Sequence, residues 1–133
     1  MEYIYAAPIF HFIADLSAFM HMVYQPHEGV GGMSGFVETI LSKGALHNIF
    51  FIASLKVEDE AVLVAYKAYA SFVSAKKGIH LGGNLAGQRL FHFQNVPFAE
   101  QSKPMKRGMA YITDDEEESS GNLIVIPSAK RDV

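Results

Sequence analysis

The 133-residue chain has no cysteine, which rules out disulfides, thiolate metal sites and a cysteine nucleophile, and fits a reducing compartment. It also lacks a long apolar run: His11, Asp15 and His21 interrupt the stretch where one would begin, so no membrane span is expected. Met1, Glu2 and Tyr3 open the chain without a basic region, so no signal peptide is expected either. Charge is sparse. A formal net charge of −3 gives no global attraction to phosphate polymers, and Lys103, Lys106 and Arg107 form only a small basic group, so nucleic acid is not an expected partner.

Several chemical signatures are missing as well. No Gly-Lys-Ser or Gly-Lys-Thr occurs, so the phosphate-binding loop of nucleotide hydrolases, with its lysine and its magnesium-bound hydroxyl, is absent. There is no H-x-H or H-E-x-x-H spacing among the six histidines, so no metal site is expected. G-x-S-x-G is missing, and Ser34 in Met33-Ser34-Gly35 reads as a helix cap, not as a nucleophile.

What is present describes one soluble, cytoplasmic α/β domain spanning 1–133. Half the residues are apolar, with ten Phe and six Tyr, enough for a packed core without staples. Pro8 to Leu16 and Asn48 to Leu55 are apolar runs that predict strands covered on both faces of a parallel sheet. Gln25 to Gly35 concentrates glycine and proline and predicts a loop. A helix follows from Gly35 to Lys43, with Phe36, Val37, Ile40 and Leu41 as its buried stripe and Gly44 at its left-handed end. A longer helix is expected between Glu58, Asp59, Glu60 and Lys76, Lys77, whose charges match the helix dipole, with Val62, Ala65, Tyr66, Tyr69, Phe72 and Val73 on its apolar face. Ile79 to Phe93 predicts two short strands around a glycine-rich turn. Met109 to Thr113 and Leu123 to Ile126 are expected to pair as a hairpin around a solvated acidic loop at 114–121. The order of elements favours an open, mainly parallel sheet flanked by helices, with an antiparallel hairpin near the carboxyl end.

Four constellations carry possible chemistry. Asp15 closes an apolar strand, where a nucleotidase of this architecture holds magnesium, although strand-end aspartates also cap turns. The glycines at 29, 31, 32 and 35 precede a helix and could offer N–H groups to an anion, but without the lysine and the strict spacing they read as a flexible connection. His80 and His92 flank the Gly82-Gly83 turn. Phe91, Phe93, Val96 and Phe98 form an aromatic series suited either to a protein-binding surface or to core packing.

Taken in order, FIADLSAF, the strand IFFIASL after His47-Asn48, GIHLGGNLAGQRLFHF and PFAEQSKPMKRGMAYI resemble the carboxyl-terminal half of an FtsK/SpoIIIE-type ATPase domain. The similarity is to the degenerate terminal domains of type VII secretion ATPases and runs from Pro8 to Pro127. It implies a RecA-like fold, here a partial domain, with the first strand in the Walker B position. That strand ends in Ala14-Asp15 where the family has two acidic residues, so Asp15 is the one remaining candidate for cofactor binding. No Thr-Gln pair stands near Ser54-Leu55, where the family's sensor strand ends. The resemblance implies a noncatalytic module, at the inner face of the cell membrane through a parent protein, that binds secretion ATPase domains or secreted helical substrates. The alternative is half of an ATP-binding domain, with ATP and magnesium bound only when an upstream segment or another subunit completes the site. A half-domain leaves a sheet edge or face uncovered, so a homodimer through the first strand or its neighbouring helix is expected.

Overall fold

The computed structural model describes residues 7–26 and 32–127. His27, Glu28, Gly29 and Gly31 lie outside the described residues, as does the amino-terminal Met1-Glu2-Tyr3. The described residues mix helices with two small sheets, one of two strands and one of three. It divides into two compact units, Met1–Ser74 and Ala75–Val133. No helix among the described residues is long and apolar enough to cross a membrane.

In the first unit, β1 (Ile9–Ile13) and β2 (Ile49–Ala53) are parallel neighbours, in register from Ile9 opposite Ile49 to Ile13 opposite Ala53. Both are shorter than expected. The strand predicted to reach Leu16 stops at Ile13, and the chain turns at once into helix α1 (Leu16–Val23). The helical signal is Leu16, Met20 and Val23, spaced four and three apart, all buried, and opened by an aspartate. These side chains form the unit's core together with buried Leu63, Ala68 and Tyr69.

Helix α2 (Ser34–Lys43) stands where expected but buries none of its residues, and Phe36 from the predicted stripe is 65% exposed. Ser34 is its first residue and not its cap; Met33 occupies that position without a side-chain bond. Gly44 stays right-handed and the chain continues into a short 3-10 turn, so the left-handed stop falls on Asn48 instead, at φ 61°.

The long helix predicted after Glu58 is broken. It becomes a 3-10 turn at Val57–Asp59, α3 (Glu60–Leu63), a run of turns, and α4 (Tyr69–Ala75). The reason is a side chain inserted into the backbone ladder: the Ala68 N–H donates to the Tyr24 hydroxyl at 2.9 Å instead of to a carbonyl one turn back. Around it, Tyr66, Tyr69, Ala70 and Ser71 each donate three residues back, the tighter 3-10 pattern.

The second unit holds an antiparallel sheet ordered β3-β4-β5, with β3 (Ile79–Leu81), β4 (Met109–Thr113) and β5 (Gly121–Val125). The hairpin expected near the carboxyl end is β4–β5, with Met109 opposite Val125 and Thr113 opposite Gly121. Only one of the two strands predicted in Ile79 to Phe93 forms. The rest of the segment is a turn, a 3-10 turn at Leu85–Gly87 and irregular backbone, followed later by the short α5 (Phe98–Gln101). That irregular backbone is held by amide side chains. Gln88 both receives the Phe91 N–H at 2.7 Å and donates to the Phe91 carbonyl at 2.8 Å, and Gln101 donates to the carbonyls of Phe93 and Val96. Asn95 grips Gly121 through a matching pair of bonds, 2.7 and 3.0 Å.

Candidate functional site

The even-numbered residues of β1 and β2 share one face of the parallel sheet. Phe10, Phe12, Phe50 and Ile52 stand on it, and all four are exposed, Phe12 at 74%. The Phe10 and Phe50 rings stack with centroids 5.4 Å apart. On the opposite face His11 stacks on Phe51 at 5.1 Å. This departs from the expectation of strands covered on both faces, because a sheet of two strands has too few helices and neighbours to cover them. A contiguous apolar face is uncommon on a free surface, which makes this one a candidate for packing against another surface. Sequence reading missed it, since strands this apolar carry too little alternation to say what is bare, and on β1 Ile9 and His11 of the opposite face are exposed as well.

Asp15 lies two residues past the end of β1, after Ala14, and is exposed. Its carboxylate accepts the Ala18 N–H at 2.9 Å and so caps helix α1, where the sequence suggested a magnesium site or a turn cap. The ends of the strands are tied together beside it. The Leu16 N–H donates to the Ser54 carbonyl and the Ser54 N–H to the Ile13 carbonyl, both at 2.9 Å, while the Ser54 hydroxyl donates to the Ala14 carbonyl. Among the described residues no group of three or more His, Asp or Glu side chains is gathered to hold a metal ion.

The aromatic series divides. Phe93 is 2% exposed and Val96 is buried; with Leu85 they make the core of the second unit, and Phe91, Met105 and Tyr111 pack against it. Two glycines make room for the rings: a Cβ on Gly121 would lie 2.3 Å from Phe93 Cδ1, and one on Gly78 would lie 2.5 Å from Phe91 Cζ. Phe98 alone of the four is strongly exposed. The histidine pair divides too, for His80 is buried while His92 is exposed. The desolvated His80 ring is held below the usual histidine range, against a smaller opposing effect from the backbone of Gly82 and Asn84. Its Nε2 is buried without a partner among the described residues.

Two polar networks are structural. In the first unit, Tyr24 donates to Glu38 Oε1 at 2.7 Å, and Lys67 pairs with Glu38 Oε2 at 3.2 Å. Burial and the Glu38 bond raise the Tyr24 hydroxyl, and that same bond, with Lys67, lowers Glu38. In the second unit, Lys76 pairs with Glu118 and Lys77 with Asp115. The lysines expected to close a helix therefore serve the acidic loop instead, and Lys76 has left the helical region altogether, at φ 49°. Asp114 starts that loop by accepting the N–H groups of Glu116 and Glu117 and the Asn122 side chain, which holds its carboxyl below its usual range.

No family model matches the chain, and neither curated proteins nor solved structures yield a match to it.

Proposed function

We propose that this chain is a noncatalytic, FtsK/SpoIIIE-like module of a type VII protein secretion apparatus, acting by binding secretion ATPase domains or secreted helical substrates. The observation that carries this reading is the β1–β2 pair. Its strands are parallel and adjacent, as the Walker B and sensor strands of the resemblance require, and its even-numbered face is apolar and bare. In this reading the RecA-like sheet is completed by strands from a partner half. Hydrolysis is disfavoured within the described residues themselves: Ala14 replaces one acidic residue, and the remaining carboxylate is engaged as a helix cap.

Thermal unfolding with and without magnesium-ATP tests this directly. No stabilisation is expected, whereas titration of a purified secretion ATPase domain or helical substrate should show binding that Phe12→Lys weakens. Stabilisation by magnesium-ATP that vanishes in Asp15→Asn would instead favour half of an ATP site. Asparagine is the right substitution because it keeps the cap, while Asp15→Ala would lose about 1 kcal/mol of helix capping and confuse the two effects.

A further inference from the structure

The outer edge of β1 is open: among the described residues β1 pairs with β2 alone. Which backbone groups lie there follows from the ladder. The Ile9 N–H donates to Asn48 and the Ile13 carbonyl accepts from Ser54, so the odd residues of β1 turn their peptide groups toward β2. Phe10 and Phe12 therefore turn theirs outward. The strand itself, Ile9-Phe10-His11-Phe12-Ile13, reads the same in both directions.

We infer that two copies of this chain pair through the outer edge of β1, antiparallel about a two-fold axis at His11, to form a four-stranded sheet. A two-fold interface needs residue i to meet j while j meets i, and the palindrome supplies this: Phe10 lies opposite Phe12 of the other copy, Ile9 opposite Ile13, and His11 opposite itself. Phe10 and Phe12 become hydrogen-bonded pairs that use all four outward peptide groups of each strand, and His11 falls at the closer, non-hydrogen-bonded position. Neighbouring registers are worse. Centring on Phe10 sets Pro8, which has no N–H, opposite Phe12. Centring on Phe12 sets Phe10 opposite Ala14, whose carbonyl already accepts the Ser54 hydroxyl.

Charge permits the pairing, because neither strand carries an acidic residue, lysine or arginine, and Asp15 falls opposite Ala7. The edge also lacks the lysines and bulges that keep edge strands apart. Area sets its strength. With Phe10 52% and Phe12 74% exposed, and roughly 200 Å² per Phe ring, each copy brings about 250 Å² of ring surface. Two copies fall below the ~1,200 Å² of a standing interface, so the dimer is concentration-dependent. The pairing does not depend on the secretion reading and is tested on the chain alone.

The chain has no cysteine, so single thiols report the register. Under mild oxidation His11→Cys should give a disulfide-linked dimer. Ile9→Cys and Ile13→Cys should not link singly but should link when mixed. Sedimentation should show a reversible dimer, with Phe12→Lys raising its Kd about tenfold or more. Linking through Phe12→Cys in preference to His11→Cys would show face-to-face stacking and overturn the register. A monomer at high concentration, with no His11→Cys link, would overturn the pairing itself.

Discussion

The two sheets both leave apolar side chains in the open, Ile79, Leu81, Leu123 and Val125 on the antiparallel sheet and Phe10, Phe12, Phe50 and Ile52 on the parallel pair, but they differ in where the core lies. The antiparallel sheet of the second unit has its own core in Leu85, Phe93 and Val96, built by a loop that amide side chains pin in place. The parallel pair of the first unit places most of its core elsewhere, between α1, Leu63, Ala68 and Tyr69, and leaves Phe10, Phe12, Phe50 and Ile52 in the open. Phenylalanine thus serves opposite ends in one short chain. Phe93 holds the second unit together, whereas Phe10 and Phe12 of the first are exposed, as Phe98 of the second also is.

The largest effect should come from exchanging one residue type across that divide. Phe93→Ala removes a ring that fills the space over Gly121 and should cost about 3–5 kcal/mol, whereas Phe12→Ala should change stability by no more than about 0.5 kcal/mol at low protein concentration. Chemical denaturation of both variants checks the contrast, and similar losses would erase it.

A second contrast lies within the first unit. Tyr24→Phe deletes a hydroxyl that bonds Glu38 and Ala68, leaving a part-buried N–H without its partner at a cost of about 1–3 kcal/mol. The Tyr69 hydroxyl is buried with no partner among the described residues, and desolvation, helped by the charge of Glu60, pushes it up to about 12. Tyr69→Phe should therefore leave stability unchanged or raise it by up to about 1 kcal/mol. Thermal unfolding of the two variants should give shifts of opposite sign or, at the least, a loss for Tyr24 alone.

The smallest effect is a pH dependence between pH 7.5 and 5 that rests on His80 of the second unit. Folding keeps His80 neutral more strongly than the unfolded chain does, where the ring titrates near 6.5. Its contribution is fully present above that value and is lost as pH falls from 6.5 toward the lower folded value, because the unfolded chain then binds the extra proton. The lowered carboxyls of Asp114 and Glu118 act in the same direction only in more acid solution, below their ordinary values of 3.8 and 4.5. Stability followed from pH 7.5 to 5 should fall in the parent chain and flatten in His80→Leu.

What was legible in the sequence follows the same divide. The β4–β5 hairpin and its acidic loop were readable because turn-forming residues and strand composition sit next to one another in the chain. The strands of the first unit were located but their covering was not, since apolar runs such as Ile9 to Ile13 look alike whether packed or bare. The long helix failed for another reason: Tyr24 reaches 44 positions along the chain to take the Ala68 N–H, and no local pattern encodes such a contact. Of the candidate site residues, Asp15 lies two positions beyond the last residue of β1, and its carboxylate caps a helix where the sequence suggested a strand end holding magnesium or capping a turn. Phe93 and Val96 were drawn inward by Gly121 and by Gln101, whose part shows only in three dimensions.

Amide hydrogen exchange at Phe10 and Phe12 tests the open edge most directly. At low protein concentration both amides should exchange quickly while those of Ile9, His11 and Ile13, bonded to β2, are slowed, and protection at Phe10 and Phe12 should then grow as concentration rises. Protection of Phe10 and Phe12 that is already high in dilute solution, or that never rises with concentration, would contradict an edge left free for a second strand.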